Sequence, residues 1–157
     1  MKTNTKKRII AIAIPLGVGV ASSLITMNAF EAYESFPRAP LSPPAFLFPI
    51  VWTILFILMG IASYLVAVSA DTENSKKALI LYGVQLVVNF FWPIFFFNLQ
   101  WFTFAFIWLA ILWLLIIATG VAFSKINLKA AALLIPYFLW TSFAGYLNLF
   151  VAMNTQG

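Results

Sequence analysis

Five long stretches of apolar residues follow one another along the chain, and all of the charged residues lie between or before them. The uncharged runs are 9–30, 45–70, 78–97, 101–124 and 130–152. Each reaches the ~20 residues that an α-helix needs to cross the hydrocarbon of a bilayer. The runs lack the two-residue alternation of barrel strands, and helices satisfy their own backbone in lipid. The pattern predicts an all-α membrane protein, a five-transmembrane-helix bundle, with residues 1–157 as a single domain.

Basic residues are concentrated before the first run and in every second connector, and they are scarce in the other connectors. All of the Lys and Arg residues except Arg38 lie before the first run, between the second and third, or between the fourth and fifth. Because cytoplasmic segments carry the excess of Lys and Arg, we expect a multi-pass protein of the cell membrane with a cytoplasmic N-terminus. The C-terminus and the first loop are then expected outside. The connectors 98–100 and 125–129 are short, so the helices that they join are expected to be antiparallel neighbours.

The first 30 residues also resemble a signal peptide, because a basic start is followed by an apolar run and then by small residues. The apolar run has ~20 residues, longer than the ~7–15 of a typical signal peptide. This length favours a first helix that is retained.

The composition excludes several classes of function. Hydrophobic residues make up 64% of the chain and charged residues only 8%, against about 25% charged in a soluble domain. There is no Cys or His, and none of the five runs contains Asp, Glu, Lys or Arg. Hydrolytic triads, paired carboxylates, a metal site and the intramembrane carboxylate of a proton-coupled pump are therefore not expected. The net charge of +5 lies in connectors, so nucleic acid is not an expected partner.

Two of the runs carry polar and aromatic residues at helical spacing. These are Gln85, Asn89 and Trp92 in the third run, and Pro136, Trp140, Ala144 and Asn148 in the fifth. An amide that faces lipid is costly, so both stripes are expected to face the bundle interior. Either the amides join packed helices or they line a ligand pocket, and the pattern leaves both interpretations open. The large indole rings favour a pocket, since close helix packing uses small residues and a flat ligand stacks on rings.

The segment that leads into the second run is rich in proline. Residues 31–52 contain five prolines, and Ser42 is expected to cap a helix that begins near Pro43 and Pro44. Prolines also restrict the freedom of a loop. The segment is either an ordinary connector or a lid over one end of the bundle, and Trp52 lies two to three turns below that end.

The chain resembles the translocator protein / tryptophan-rich sensory protein family, also called peripheral-type benzodiazepine receptors. The resemblance covers about residues 33–148 and rests on three features. They are the Pro-Pro step followed by Trp52, the pattern Q-x-x-x-N-x-x-W over 85–92, and PYFLWTSFAGYLN over 136–148. It implies a five-helix bundle, commonly a homodimer, that binds porphyrins such as protoporphyrin IX and benzodiazepine-site ligands, with no other cofactor.

The resemblance also implies roles for residues. Trp52 and Trp140 match tryptophans tied to porphyrin binding and to its light- and oxygen-dependent breakdown. Asn89 matches an amide that contacts ligands, and Ala144 matches a small residue where added bulk disturbs the pocket. Together with the two stripes, this gives one expected pocket within the bundle. Its expected residues are Trp52, Gln85, Asn89, Trp92, Tyr137, Trp140, Ala144 and Asn148.

Some positions depart from the family pattern. Ala32 and Leu41 stand where the family has Trp, which weakens the expected contact between the first loop and a ligand. No basic residue follows Tyr146, so the sterol motif of animal members is not matched. The small-residue contact through which members dimerise is matched only in part: Gly83 and Val87 partly fit, but Phe91 follows where a small residue would help.

Three functions remain as alternatives. The first is porphyrin binding for sensing, transport or regulation of tetrapyrroles. The second is a light- and oxygen-dependent enzyme that degrades porphyrin, with Trp52 and Trp140 as the candidate catalytic residues. The third is a structural subunit of a membrane assembly.

Overall fold

The computed structural model describes residues 2–155, which form helices joined by short turns and loops. The elements are α1 (Lys2–Ile25), α2 (Ala29–Ser35), α3 (Leu47–Ala67), α4 (Thr72–Pro93), a π-helical turn (Ile94–Asn98), α5 (Phe102–Ser124), α6 (Leu128–Leu133) and α7 (Ile135–Asn154). The structure confirms the expected all-α bundle. Within the described residues, five segments are long and apolar enough to cross a membrane: Asn4–Ile25, Leu47–Ala67, Glu73–Asn98, Phe102–Ser124 and Leu128–Asn154.

The first span ends earlier than the apolar run does. Helix α1 stops at Ile25, and the chain turns before it re-enters a helix as α2. The predicted cap at Ser42 is wrong, because α3 begins only at Leu47, after a turn, and its N-cap position is Phe46, which makes no side-chain cap bond. The backbone N–H of Leu47 bonds instead to the carbonyl oxygen of Pro44, at 3.1 Å.

The fifth span is interrupted near its start. Pro136 has no N–H to donate to the carbonyl of Ala132, so the helical hydrogen bond is missing at this point. Helix α6 accordingly ends at Leu133, and α7 begins at Ile135. The N–H of Leu134 bonds to the carbonyl oxygen of Ala131 at 3.0 Å, so a tight turn replaces the helical bond at the break.

The five spans close into a ring. Packing runs in the order α1, α3, α6–α7, α5 and α4 and back to α1, and α3 also packs against α4 across the ring. The pairs joined by short connectors, α4 with α5 and α5 with α6–α7, pack directly against each other. We call the end of the bundle that carries α2 and the proline-rich segment 36–46 the α2 end.

Two glycines bring α1 and α3 into close contact. A Cβ atom on Gly60 would lie 2.6 Å from the Cα atom of Ile12, and one on Gly19 would lie 2.5 Å from the ring of Phe56. Both distances are too short for real atoms, so the helices approach this closely only because the two residues have no side chain.

Candidate functional site

A cavity of about 480 Å³ lies near the α2 end of the bundle. Its walls come from the second half of α1, from α2, from the first turns of α3, from the last turn of α4 and from the π-helical turn. Its volume falls in the range of ~300–1,000 Å³ that is typical of small-molecule sites.

Three of the eight expected pocket residues line this cavity: Trp52, Asn89 and Trp92. Asn89 and Trp92 are three residues apart on α4, so they lie on the same face of that helix. The Trp52 ring stacks on Phe56, with ring centroids 5.6 Å apart. These contacts give the cavity an aromatic wall with an amide beside it.

Ala144 and Asn148 lie next to a second, much smaller cavity of about 20 Å³. This volume holds about one water molecule. Trp92 borders both cavities and separates the α7 residues from the larger one. The Trp92 indole Nε1–H donates to Asn148 Oδ1 at 3.0 Å, and Asn148 Nδ2 donates to the carbonyl oxygen of Phe102 at 2.9 Å. The structure therefore uses Asn148 to join α4, α5 and α7.

Gln85 and Tyr137 are buried behind the cavity wall and line neither cavity. The Tyr137 hydroxyl accepts from Asn89 Nδ2 at 2.6 Å and donates to Gln85 Oε1 at 2.7 Å. This chain fixes the orientation of the Asn89 amide, and Asn89 Oδ1 accepts no hydrogen bond from the described residues. The third run was expected either to join packed helices or to line a pocket, and the structure shows both. Gln85 only joins helices, whereas Asn89 joins helices and also faces the cavity.

Trp140 also lies outside the lining of both cavities. It is half-buried, and Phe48, which borders both cavities, packs against it with ring centroids 5.6 Å apart. Phe48 in turn meets the Tyr33 ring at 4.9 Å. The Trp140 Nε1 atom is buried and has no hydrogen-bond partner among residues 2–155. Phe48 therefore stands between Trp140 and the space in which a ligand would lie.

The expectation that the whole fifth-run stripe faces the interior is wrong for Pro136, which is exposed. A spacing of four residues drifts by about 40° per step around a helix with 3.6 residues per turn. Over the three steps from Pro136 to Asn148 the direction changes by about 120°. The buried stripe consists of Tyr137, Thr141, Ala144, Asn148 and Val151.

The proline-rich segment covers the α2 end, as the lid interpretation predicts. Tyr33 of α2 borders both cavities, and its hydroxyl donates to the carbonyl oxygen of Pro43 at 2.7 Å. The Tyr146 hydroxyl of α7 donates to the carbonyl oxygen of Pro40 at 2.9 Å, which fastens the segment across the bundle. Leu41, where the family has Trp, is 86% exposed and lines neither cavity.

The electrostatics of the site are nearly neutral. Burial raises the pKa of Tyr33 above its ordinary value, although Ser42 and the nearby Arg38 guanidinium act in the opposite direction. Tyr33 is therefore a neutral hydrogen-bond donor at physiological pH. Within residues 2–155, no group of three His, Cys, Asp or Glu side chains could hold a metal ion. The site is suited to holding an apolar ring system.

Sequence reasoning missed the contribution of α1 to the cavity. The α1 residues that line it are Leu16, Gly19, Val20, Ser22, Ser23 and Leu24, and Thr26 and Met27 line it just after the helix. The run of small residues in "GVGVASS", 17–23, is a signal that could have pointed to this wall, because small side chains leave space beside a helix. It was interpreted only as a feature shared with signal peptides.

Comparison with known proteins adds independent information. The family model described as "TspO/MBR family" matches residues 11–153. The "Tryptophan-rich protein TspO" of Chlorobaculum tepidum is 36% identical over 148 residues, which cover 90% of this chain and 94% of the relative. The "Translocator protein" of Homo sapiens is 32% identical over 93% of this chain and 88% of its own length. "Protein CrtK" of Rhodobacter capsulatus is 33% identical over 85% and 82%.

Proposed function

The chain belongs to the TspO/MBR family, and from its cavity we propose that it binds porphyrin-type tetrapyrroles within the bundle, in their sensing, transport or regulation. The proposal places the α2 end outside the cell and the N-terminus in the cytoplasm of a multi-pass cell-membrane protein. That orientation rests on the distribution of Lys and Arg.

The observation that carries this proposal is the shape and chemistry of the larger cavity. Aromatic rings from four elements border it, namely those of Phe30, Tyr33, Phe48, Trp52, Phe56, Trp92 and Phe97. A flat, apolar macrocycle stacks on such rings, and each aromatic pair adds about 0.5–1.5 kcal/mol beyond the burial of area. Asn89 offers a carbonyl oxygen to a polar edge of the ligand. A few such contacts together with apolar burial are consistent with micromolar affinity, about 8 kcal/mol of binding free energy.

One observation favours the enzyme alternative in part. Trp52 borders the cavity directly and lies 6.2 Å, centroid to centroid, from the ring of Tyr137. A bound porphyrin excited by light would have the Trp52 and Trp92 indoles beside it as oxidisable groups, with molecular oxygen as the oxidant. Trp140 would take part only after Phe48 had moved. The third alternative, a structural subunit, is not favoured by any feature of the cavity.

The experiment that tests the proposal is a titration of the purified protein with protoporphyrin IX in nanodiscs, followed by Trp quenching and porphyrin absorbance. We expect saturable binding in the dark. Light-dependent loss of porphyrin in the wild type but not in Trp52→Phe would assign the degrading activity, whereas binding without loss would leave a binder or sensor. Absence of saturable binding, with co-purification of a fixed partner, would reject porphyrin binding in favour of the structural alternative.

A homodimer is part of the same proposal. The α4 positions implied by the family resemblance lie on the outer surface of the bundle: Val87 is 58% exposed and Phe91 37% exposed. A Cβ atom on Gly83 would meet no atom of this chain within 4 Å, which leaves space there for a second copy. Cross-linking in nanodiscs of defined size, with Gly83→Trp as the disrupting variant, tests this contact.

A further inference from the structure

We propose that the ligand enters and leaves the cavity sideways, from the bilayer, through an opening between α1 and α3. This inference rests on the porphyrin-binding function proposed above. The opening, which we call the α1–α3 gap, is bordered by Val20 and Ser23 on α1, by Met27 in the turn after α1, and by Pro49 and Thr53 on α3.

The five residues of the α1–α3 gap line the cavity and are also exposed on the outside of the bundle. Val20 is 59% exposed and Met27 79% exposed. A side chain that borders a cavity and the exterior at the same time marks a place where the wall is incomplete. No hydrogen bond among residues 2–155 joins the two edges of the gap, and the Thr53 hydroxyl instead donates to its own helix, to the carbonyl oxygen of Pro49 at 2.7 Å.

The opposite side of α1 is closed at the same depth. The Ser22 hydroxyl donates to the carbonyl oxygen of Phe90 at 3.2 Å, and Asn98 Nδ2 donates to the carbonyl oxygen of Ile25 at 2.9 Å. These two bonds join α1 to α4 and to the π-helical turn. Ser22 is buried, in contrast to its exposed neighbour Ser23. Hydrogen bonds thus join α1 to α4 and to the π-helical turn beside the cavity, whereas none among residues 2–155 joins the edges of the α1–α3 gap.

The glycine contacts between α1 and α3 set the inner limit of the gap. Gly19 lies against the Phe56 ring, and Gly60 lies against the backbone of Ile12. Beyond Gly19, α1 continues for six residues to Ile25, which is about 9 Å along the helix axis. The opening is tall enough for a flat molecule that enters on edge.

The surroundings of the α1–α3 gap are those of a passage from hydrocarbon. Leu24 on one side and Ile50 and Ile54 on the other are exposed and apolar. The end that faces water is covered by α2 and by the segment 36–46, which the Tyr33 and Tyr146 hydroxyls hold in place. The wall is thus incomplete towards lipid and covered towards water. A lipophilic molecule that partitions into the bilayer reaches the cavity by the uncovered side.

The test compares a block in the gap with a matched block beside it. Ser23→Trp and Thr53→Trp place an indole in the α1–α3 gap, whereas Ile25→Trp and Ile50→Trp place one on the same helices at exposed positions outside the cavity lining. Stopped-flow transfer of protoporphyrin IX from loaded vesicles gives the rate constants. We expect the gap variants to lower association and dissociation rates together, each by about tenfold. The matched controls keep wild-type rates.

A second measurement is independent of porphyrin. The chain has no Cys, so Leu16→Cys places a single thiol on the cavity wall. In vesicles, we expect a pyrenyl maleimide dissolved in the membrane to label this thiol, and a water-soluble sulfonated maleimide to label it far more slowly. Adding Ser23→Trp should slow labelling by the pyrenyl maleimide but leave labelling by the sulfonated maleimide unchanged. Labelling that is faster from water, or unaffected by either gap variant, overturns the lateral route. If wild-type protein binds no porphyrin but the labelling pattern holds, the proposed function fails and the route stands.

Discussion

The contact between α4 and α7 and the contact between α1 and α3 are built in different ways, although both border the same cavity. Between α4 and α7, polar side chains meet across the helices: Asn89 and Gln85 share the Tyr137 hydroxyl, and Trp92 bonds to Asn148. Between α1 and α3, the closest contacts are at glycines of the inner end, and among residues 2–155 no hydrogen bond spans these helices at the α2 end.

The difference shows how one bundle can be rigid on one side and open on the other. In lipid, apolar side chains gain little by leaving the bilayer, so packing and interhelical hydrogen bonds hold helices together. The α4–α7 contact has interhelical hydrogen bonds, which hold Asn89 and Trp92 in fixed orientations. The α1–α3 contact is extensive, and its closest approaches are at the glycines of its inner end. We expect its other end to be the part of the wall that opens with the smallest cost in free energy. Four predictions test this contrast between the two contacts.

The largest effect is expected from Asn148→Ala. This change leaves the buried Trp92 N–H without an acceptor and empties space beside it, which we expect to lower the free energy of unfolding by about 3 kcal/mol. Asn154→Ala is the matched control, because that asparagine is exposed on the same helix; its effect should stay within about 0.5 kcal/mol. Thermal or denaturant unfolding in detergent measures both. Equal effects would mean that the Trp92–Asn148 bond contributes nothing.

Gly60→Ala is expected to cost about 2 kcal/mol, because the new methyl group meets the α1 backbone and forces the helices apart. The same change at Gly17, where a Cβ atom meets nothing within 4 Å, should be neutral or stabilising through helix propensity. The same unfolding measurement separates the two. A tolerated Gly60→Ala would show that the inner α1–α3 contact is loose as well, and the contrast within this interface would disappear.

Tyr137→Phe should lower stability by about 1 kcal/mol, since it leaves the Asn89 donor and the Gln85 acceptor without their shared partner. Combining it with Gln85→Met removes one of the two unpaired groups while keeping the volume. The double variant should therefore be more stable than the sum of the single changes predicts, which an unfolding cycle measures. Strictly additive effects would contradict a chain of bonds that passes through the Tyr137 hydroxyl.

The spans were readable from the sequence because bilayer thickness fixes the length of an apolar run. The cavity-facing side of α4 could also be predicted, since Asn89 and Trp92 carry polar groups at helical spacing within an apolar helix. The α1 wall was not readable from periodicity. In a membrane protein, the lipid-facing surface and the cavity-facing surface are both apolar, so the hydrophobic pattern that marks the buried face of a soluble helix is missing. The position of Trp140 behind Phe48 depends on the loop before α3, which the sequence pattern does not place.

The smallest expected effect concerns Trp52 and Trp140, to which the family resemblance assigns the same role. Trp52→Leu removes a ring that borders the cavity, so we expect dark protoporphyrin IX affinity to fall about three- to tenfold, the equivalent of one aromatic contact. Trp140→Leu should change it less than about twofold, because Phe48 lies between that indole and the ligand. Adding Phe48→Ala should make affinity sensitive to Trp140, since the indole with its unpaired N–H would then reach the cavity. Parallel titrations of these variants in the dark measure the difference. Equal losses of affinity for Trp52→Leu and Trp140→Leu would mean that Phe48 moves aside whenever ligand binds. The rigid side of the bundle would then extend only as far as the α4–α7 hydrogen bonds.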